Sequence, residues 1–382
     1  MSALQHVYVH VPFCSGKCLY CNFYSVRHET ACAARYLDAL QGELSNATAV
    51  HSIVPETLYI GGGTPSALPP PQFQRLLEII HGALRPDRVC EWTLEGNPGT
   101  FTSEKIELLQ HFGVNRISLG VQSMNDEILA TIGRRHNARE TRQTIQSLRR
   151  AGFKNIGLDL IACLPGVTSA IWVQTLREAL ALSPDHLSVY ALSVEAGSEL
   201  ERRRRQGDYH PTSLEEEQVA LAVAETELTS AGYQHYEVSN YAHEGHHCRH
   251  NRAVWQGADY IGLGPAAASR VGTERRTNTA DLDSYCATVG ASGIRHSVNT
   301  ERLTPETDAV ERFMFTFRLY EGISPEAFAN THGAAAQKLL PSWEQKLSAM
   351  KQEGLVTQDG AHWSLTSRGR DFADTVAERL LP

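Results

Sequence analysis

The first 230 residues alternate between short β-branched runs and segments whose apolar residues recur every three to four positions. The runs predict strands at 6–11, 57–61, 91–95, 116–121, 156–161 and 186–192. Helical spacing follows most of them, as at Phe73 and Leu76, and Ser213 with Glu216 forms a capping-box pattern for a helix that ends near Gly232. Six strand–helix units in a row favour a parallel sheet, open or curled into a partial barrel.

After residue 232 this alternation stops. Residues 233–270 are rich in glycine and histidine, and the polar residues from 271 to 301 show no period. We therefore expect an extension over 233–300, with a histidine-rich segment up to about residue 270 and an irregular polar stretch after it.

Residues 301–382 predict a small helical unit. Ser/Thr–Pro pairs at 304–305 and 324–325 are typical of helix starts, and a third helix is expected over 342–354. Segments 355–358 and 362–365 predict a hairpin around a type I′ turn at Asp359 and Gly360, followed by a helix from Ser367. This order indicates a winged-helix-like domain, but nine basic and twelve acidic residues give it a net charge of −3, which argues against DNA binding.

Composition narrows the class of protein. The chain has 382 residues, of which 42% are hydrophobic and 20% charged, as in an ordinary globular protein. A net charge of −8 gives no general attraction to nucleic acid or to anionic membranes. No apolar run approaches the 18 or so residues of a spanning helix, and the start of the chain lacks the features of a signal peptide, so we expect a cytoplasmic protein.

Three of the eight cysteines cluster as Cys14-x3-Cys18-x2-Cys21, directly after the first predicted strand. In a reducing compartment such clustering indicates a metal site. Zinc would need a fourth ligand, for which His10 or His6 could serve. Three thiolates also suit a cubane [4Fe–4S] cluster in which one iron has no protein ligand and stays open to a small chelating molecule.

This spacing, with Tyr20 before the third cysteine, resembles the signature of the radical S-adenosylmethionine (SAM) family, and the resemblance extends over nearly the whole chain. It is strongest to the branch that contains anaerobic coproporphyrinogen dehydrogenase and the heme chaperones. The resemblance implies an α/β fold, a partial (βα)6 TIM-like barrel with a C-terminal helical winged-helix-like domain. It also implies SAM bound to the open iron. The changes in the pattern of elements along the chain indicate domains at 1–232, 233–300 and 301–382.

The resemblance also assigns cofactor-binding residues. They are Tyr8, Tyr20, Gly62, Gly63, Thr64, Glu95, Gln122, Arg134, Asp159 and Ala191, beside the cluster ligands Cys14, Cys18 and Cys21. Most of them lie within three residues of the end of a predicted strand, and a parallel sheet brings such ends to one rim. Taken singly, the glycines also fit a tight turn, and the polar residues also fit helix caps or surface pairs.

The segment His250-Asn251-x-x-x-Trp255 resembles one that the heme chaperones carry and implicates His250 in heme binding. Imidazole is a common axial ligand of heme iron, although five histidines lie between 235 and 250, and a loop histidine is usually only solvated. Three residues depart from the branch pattern. Val254 stands where tyrosine is usual, Ala268 where histidine is usual, and Cys163 where glycine is usual.

Phe23 stands where the dehydrogenase has a further cysteine, and only 13 residues precede Cys14. Both differences favour a heme chaperone that binds a [4Fe–4S] cluster, SAM and heme, without coproporphyrinogen dehydrogenase activity. The alternatives are that dehydrogenase, another radical SAM enzyme acting on a tetrapyrrole, or a zinc-stabilised scaffold. Expected partners are a heme-accepting protein and an electron donor such as flavodoxin or ferredoxin, with peripheral membrane contact and a homodimer as further expectations and no nucleic acid.

Overall fold

A computed structural model describes residues 3–86, 89–292 and 297–381. The strands are β1 (Leu4–Val11), β2 (Phe13–Cys14), β3 (Val26–Arg27), β4 (Ile53–Gly62), β5 (Glu91–Gly96), β6 (Arg116–Gln122), β7 (Ile156–Ala162), β8 (His186–Ala191), β9 (Gln234–Glu237), β10 (Asn240–Ala242), β11 (Tyr260–Leu263), β12 (Ala268–Val271), β13 (Glu274–Asn278), β14 (Ser297–Arg302), β15 (Val356–Asp359) and β16 (His362–Leu365). The helices are α1 (Thr30–Val50), α2 (Pro70–Leu84), α3 (Ser103–Phe112), α4 (Asp126–Thr131), α5 (Ala138–Arg150), α6 (Ser169–Leu180), α7 (Glu199–Gln206), α8 (Leu214–Ser230), α9 (Arg249–Trp255), α10 (Leu282–Ser292), α11 (Pro305–Thr316), α12 (Pro325–Gln352), α13 (Ser367–Asp371) and α14 (Ala373–Arg379).

The six predicted strands form the centre of one large sheet, in the order β1-β4-β5-β6-β7-β8, and all of them are parallel. Their observed ends lie within four residues of the prediction. Because consecutive strands are neighbours and run in one direction, their carboxyl ends meet at one rim. The α/β prediction is confirmed.

The sheet continues beyond both ends of this parallel core. Strand β11 pairs with β1, followed by β12, β13 and β14, while β10 and β9 extend the sheet beyond β8. The expectation of an irregular polar stretch from 271 to 301 is therefore wrong, because it contains β13, α10 and β14. These strands are short and partly exposed, so they lack the buried β-branched runs that marked the central strands.

The main hydrophobic core lies between the sheet and its crossover helices. The predicted apolar positions Phe73 and Leu76 of α2 are buried there, as are Leu109 in α3 and Leu176 in α6. Helix α8 begins at the predicted capping box, in which Ser213 and Glu216 each bond the other's backbone N–H. Within the described ranges, no helix is long and apolar enough to cross a membrane.

Residues 303–381 form a second core, in which Phe313 stacks on Trp343 with ring centroids 4.1 Å apart. Two predictions here are wrong in detail. The helical region before residue 352 breaks at Gly333 (φ 78°), so the third helix does not start at 342. The hairpin turn consists of Gly360 and Ala361, one residue later than predicted, and only Gly360 has a positive φ, as in a type II′ turn.

Candidate functional site

The three clustered cysteines lie on the loop that follows β1, at the carboxyl rim of the sheet. Cys14 ends β2 opposite Arg27 of β3, and the N–H of Cys21 donates to the carbonyl of Cys18 at 3.2 Å. Backbone hydrogen bonds of Leu19 tie the loop to residues 132 and 200. All three thiols are free and only partly exposed.

Hydrogen-bonding groups surround these sulfur atoms. Arg134 Nη1 donates to Cys18 Sγ at 3.5 Å, and Thr64 Oγ1 lies 3.5 Å from Cys14 Sγ. Burial raises the pKa of the Cys21 thiol, as do the nearby Cys18 and Cys14. A guanidinium and a hydroxyl next to sulfur suit metal-bound thiolates, which accept hydrogen bonds.

The histidines considered as a fourth zinc ligand have other partners. His10 Nδ1 lies 3.1 Å from the Tyr8 hydroxyl and Nε2 lies 3.0 Å from the carbonyl of Tyr24, while His6 Nδ1 contacts Thr57 Oγ1 at 3.0 Å. Among the described residues, no three His, Cys, Asp or Glu side chains are grouped to hold one metal ion. In a cubane each thiolate binds a different iron, so its cysteines stand further apart than those around a single ion. The donor set fits the [4Fe–4S] cluster.

The glycine run at the end of β4 allows close packing at the rim. A Cβ atom at Gly62 would lie 2.5 Å from the His10 ring, and one at Gly63 would lie 2.7 Å from the carbonyl oxygen of Phe13. Gly62 also has φ 104°, which favours glycine. The run therefore turns the chain here and brings its backbone next to the cluster loop.

Glu95 lies one residue before the end of β5, beside this run, and is largely buried by its neighbours. It accepts hydrogen bonds from the Tyr59 hydroxyl at 2.7 Å and from the Gly62 N–H at 3.2 Å. Burial is the largest cause that raises its pKa to about 7. Near neutral pH this carboxyl is therefore only partly ionised, and a cationic ligand beside it would favour the ionised form.

Asp159 and Gln122 belong to the neighbouring strands β7 and β6. Ser118 Oγ donates to Asp159 Oδ1 at 3.2 Å, and burial raises the pKa of the Asp159 carboxyl. Gln122 has φ 66° at an irregularity in the β6–β7 register, which shifts its side chain out of the regular strand alternation. Ala191 is the last residue of β8.

Arg134 lies beyond α4 and reaches back to the rim. Its Nη2 donates to Asn97 Oδ1 at 2.7 Å and to the carbonyl of Gly120. Tyr20 packs near Arg134 against a small apolar cluster that includes Ile132, and burial raises the pKa of its phenol. Asn97 was missed by the sequence analysis, although it follows β5 by one residue and carries the same signal as Glu95, a polar residue at a strand end.

His250 lies elsewhere, at the opposite end of the strands. Helix α9 packs there against the starts of the central strands, a region that we call the barrel floor. His250 Nδ1 contacts Thr57 Oγ1 at 2.9 Å, and Glu91 accepts the backbone N–H groups of Arg249 and His250 at 2.9 and 3.0 Å. The imidazole is 6% exposed, and burial lowers its pKa to about 3. The structure therefore does not bring the predicted heme residue to the cluster.

The three departures from the branch pattern lie in different elements of the fold. Val254 is half-buried in α9, and Ala268 is exposed on β12. Cys163 has φ 62°, a conformation that favours glycine, which explains why glycine is usual at this position.

Comparison with known proteins extends this picture. The radical SAM superfamily model matches residues 8–179, and the HemN C-terminal domain model matches residues 303–372. The heme chaperone HemW of Bacillus subtilis (strain 168) is 31% identical over 376 residues, which cover 98% of each chain. HemW of Escherichia coli (strain K12) is 32% identical over 98% of this chain and 97% of its own.

The chain belongs to the HemW family of radical SAM proteins. Membership confirms the sequence-based assignment to the radical SAM family and implies a [4Fe–4S] cluster and SAM as cofactors. The solved structure of HemN, the coproporphyrinogen III oxidase of Escherichia coli, superposes with a TM-score of 0.85, covering 99% of this chain and 90% of that one. At 23% identity this match shows the shared fold, including the barrel and the C-terminal unit, and not the shared activity.

Proposed function

We propose that this protein is a heme chaperone that holds a [4Fe–4S] cluster and SAM, binds heme and transfers it to acceptor proteins. The full-length similarity to the HemW chaperones carries the proposal. The rim supports it, because three free thiols meet a guanidinium, a hydroxyl and a glycine run there. Phe23, which is 65% exposed, replaces the further cysteine that the dehydrogenase carries near its cluster.

In this proposal, Cys14, Cys18 and Cys21 bind three irons of the cluster. A bound cluster would supply an electron to SAM held beside it. SAM is a zwitterionic nucleoside with a sulfonium cation, so it needs both acceptors and donors. Glu95 and Asp159 offer carboxylates for its cationic groups, and the remaining proposed contacts come from these residues: Gly62, Gly63, Thr64, Gln122, Arg134 and Ala191.

Heme is proposed to bind through His250 at the barrel floor. His250 is buried, so ligation requires α9 to move away from the floor and break the contacts with Thr57 and Glu91. Glu91 caps α9 by accepting two backbone N–H groups, and hydrogen bonds to a charged group contribute about 1.5–3 kcal/mol each. This cap therefore sets how easily the heme residue becomes accessible.

The experiment follows heme uptake by the Soret band in the full chain, with His250→Ala and Glu91→Gln as variants. Glu91→Gln weakens the cap and should speed heme binding several-fold, whereas His250→Ala should remove the imidazole-ligated spectrum. His247→Ala is the matched control, because His247 is near in sequence but stacks on Tyr236 instead of contacting Thr57.

Unchanged spectra and rates in both variants would show that heme binds elsewhere. The function itself is tested by transfer of heme to an apo-acceptor and by incubation with coproporphyrinogen III under reducing conditions. Conversion of coproporphyrinogen III with SAM consumption, without heme transfer, would favour the dehydrogenase. The proposal also includes an electron donor such as flavodoxin or ferredoxin and a cytoplasmic location. It further includes a homodimer and peripheral contact with a membrane.

A further inference from the structure

One side chain connects two of the three clustered cysteines. Asn97 Oδ1 accepts from Arg134 Nη2 at 2.7 Å, and Asn97 Nδ2 donates to Thr64 Oγ1 at 3.1 Å. Beyond these neighbours, Arg134 Nη1 donates to Cys18 Sγ, and Thr64 Oγ1 lies next to Cys14 Sγ, both at 3.5 Å. A single amide thus links the surroundings of Cys14 and Cys18.

The direction of each hydrogen bond in this chain follows from its chemistry. A guanidinium only donates, so the amide oxygen of Asn97 must face Arg134 and its NH2 group must face Thr64. The Thr64 oxygen therefore accepts from Asn97, and its own hydrogen is free for another acceptor. An iron-bound thiolate can only accept, so the Thr64 hydroxyl donates to Cys14 Sγ.

The Asn97 side chain is held in this orientation by its neighbours. Its backbone N–H donates to Ser66 Oγ at 3.3 Å, and Ser66 Oγ lies 2.6 Å from Thr100 Oγ1. Lys105 Nζ fixes the same loops by donating to the carbonyl of Ser66 at 2.6 Å. A Cβ atom at Gly120 would lie 3.0 Å from Asn97 Oδ1, so the strand beside it leaves little free space.

We propose that Asn97 is a positioning residue for the cluster, which directs the Thr64 hydroxyl to Cys14 and the Arg134 guanidinium to Cys18 and thereby raises the reduction potential of the cluster. Hydrogen bonds and positive charge at the sulfurs stabilise the reduced cluster, which carries one more electron. The proposal rests on the proposed function, because it requires that the cluster is bound.

The test is a potentiometric titration of the anaerobically reconstituted full chain, followed by the electron paramagnetic resonance signal of the reduced cluster. At the wild-type midpoint potential, Thr64→Val should lower the ratio of reduced to oxidised cluster about tenfold, equivalent to about 59 mV for one electron. Thr64→Ser retains the hydroxyl and should keep the wild-type potential.

Asn97→Asp tests the relay itself. Its carboxylate accepts from both neighbours, so the Thr64 hydrogen turns away from Cys14 and the potential should fall. In a protein that already carries Thr64→Val, Asn97→Asp only adds a negative charge, because there is no hydroxyl to turn away. The shift in reduction potential caused by Asn97→Asp should therefore be smaller in that protein than in one that retains Thr64. Asn137→Asp, at the N-cap of α5, is the matched control for an added charge.

Two outcomes would overturn the proposal. The first is that Thr64→Val and Asn97→Asp both keep the wild-type reduction potential. The second is that Asn97→Asp shifts the potential equally with and without the Thr64 hydroxyl. If Asn97→Asp loses iron and sulfide, the Thr64→Val and Thr64→Ser pair still decides it. Failure of the wild-type chain to hold four iron and four sulfide would instead count against the proposed function.

Discussion

SAM binding should depend on pH through Glu95. The carboxyl has a pKa of about 7 in the SAM-free protein, so about half of it is ionised at pH 7. If a cationic group of SAM binds the ionised form, the apparent affinity scales with the ionised fraction, which falls from about nine-tenths at pH 8 to about one-tenth at pH 6. The dissociation constant should therefore rise about tenfold between pH 8 and pH 6.

Glu95→Gln should remove this dependence. The glutamine can still accept from Gly62 and donate to the Tyr59 oxygen, so the local structure should persist while the charge is lost. Binding should weaken at every pH, by about 1.5–3 kcal/mol at pH 8 for the loss of a charged hydrogen-bonding partner.

Anaerobic titration calorimetry at pH 6, 7 and 8 measures the affinity for SAM and its dependence on pH. The ionisation of SAM itself contributes equally for the wild-type protein and for Glu95→Gln, so it does not affect their comparison. Glu237→Gln is the matched control, because Glu237 also has a pKa raised to about 7 by burial but lies on β9, away from the rim. A wild-type affinity that does not change with pH, or an equal pH dependence in Glu95→Gln, would refute the reasoning.

Two further predictions concern stability. Cys163→Gly should be more stable than Cys163→Ala by about 1 kcal/mol in urea unfolding, because only alanine retains the cost of the left-handed backbone; equal stabilities would show that this loop relaxes. Hydrogen bonds from His235 and from the Tyr320 hydroxyl lower the pKa of Glu225 to about 2. The ionised carboxylate therefore stabilises the fold above about pH 4.5, and this stabilisation is lost as the pH falls towards 2. Glu225→Gln should lower the urea midpoint at pH 7 and flatten that acid limb, and identical pH profiles would contradict the role.

The central strands and the cluster loop could be predicted because their signals are local. Strands such as β7 are buried along most of their length and therefore show β-branched runs, and the cysteine spacing places three thiols on one loop. Edge strands such as β13 consist of polar residues and depend on pairing with neighbours that are distant in sequence, so their pattern gave no period.

The location of His250 could not be predicted for a related reason. Its segment is rich in histidine and polar residues, which suggests an exposed loop. His250 is nevertheless buried through contacts with Thr57 and Glu91, which are more than 150 residues away. Likewise, the role of Asn97 depends on Arg134, which comes from a different strand–helix unit. Such contacts are set by the tertiary fold, and the residue types alone do not reveal them.

The separation of rim and floor has a consequence for the order of events. Thr57 and Gly62 are five residues apart on β4, and at about 3.3 Å per residue this places roughly 17 Å of strand between the two ends. With heme bound at α9, an acceptor protein and an electron-donating protein would approach opposite ends of the molecule. Under the proposed function, neither protein would then have to leave before the other arrives, and reduction and heme delivery would have no fixed order.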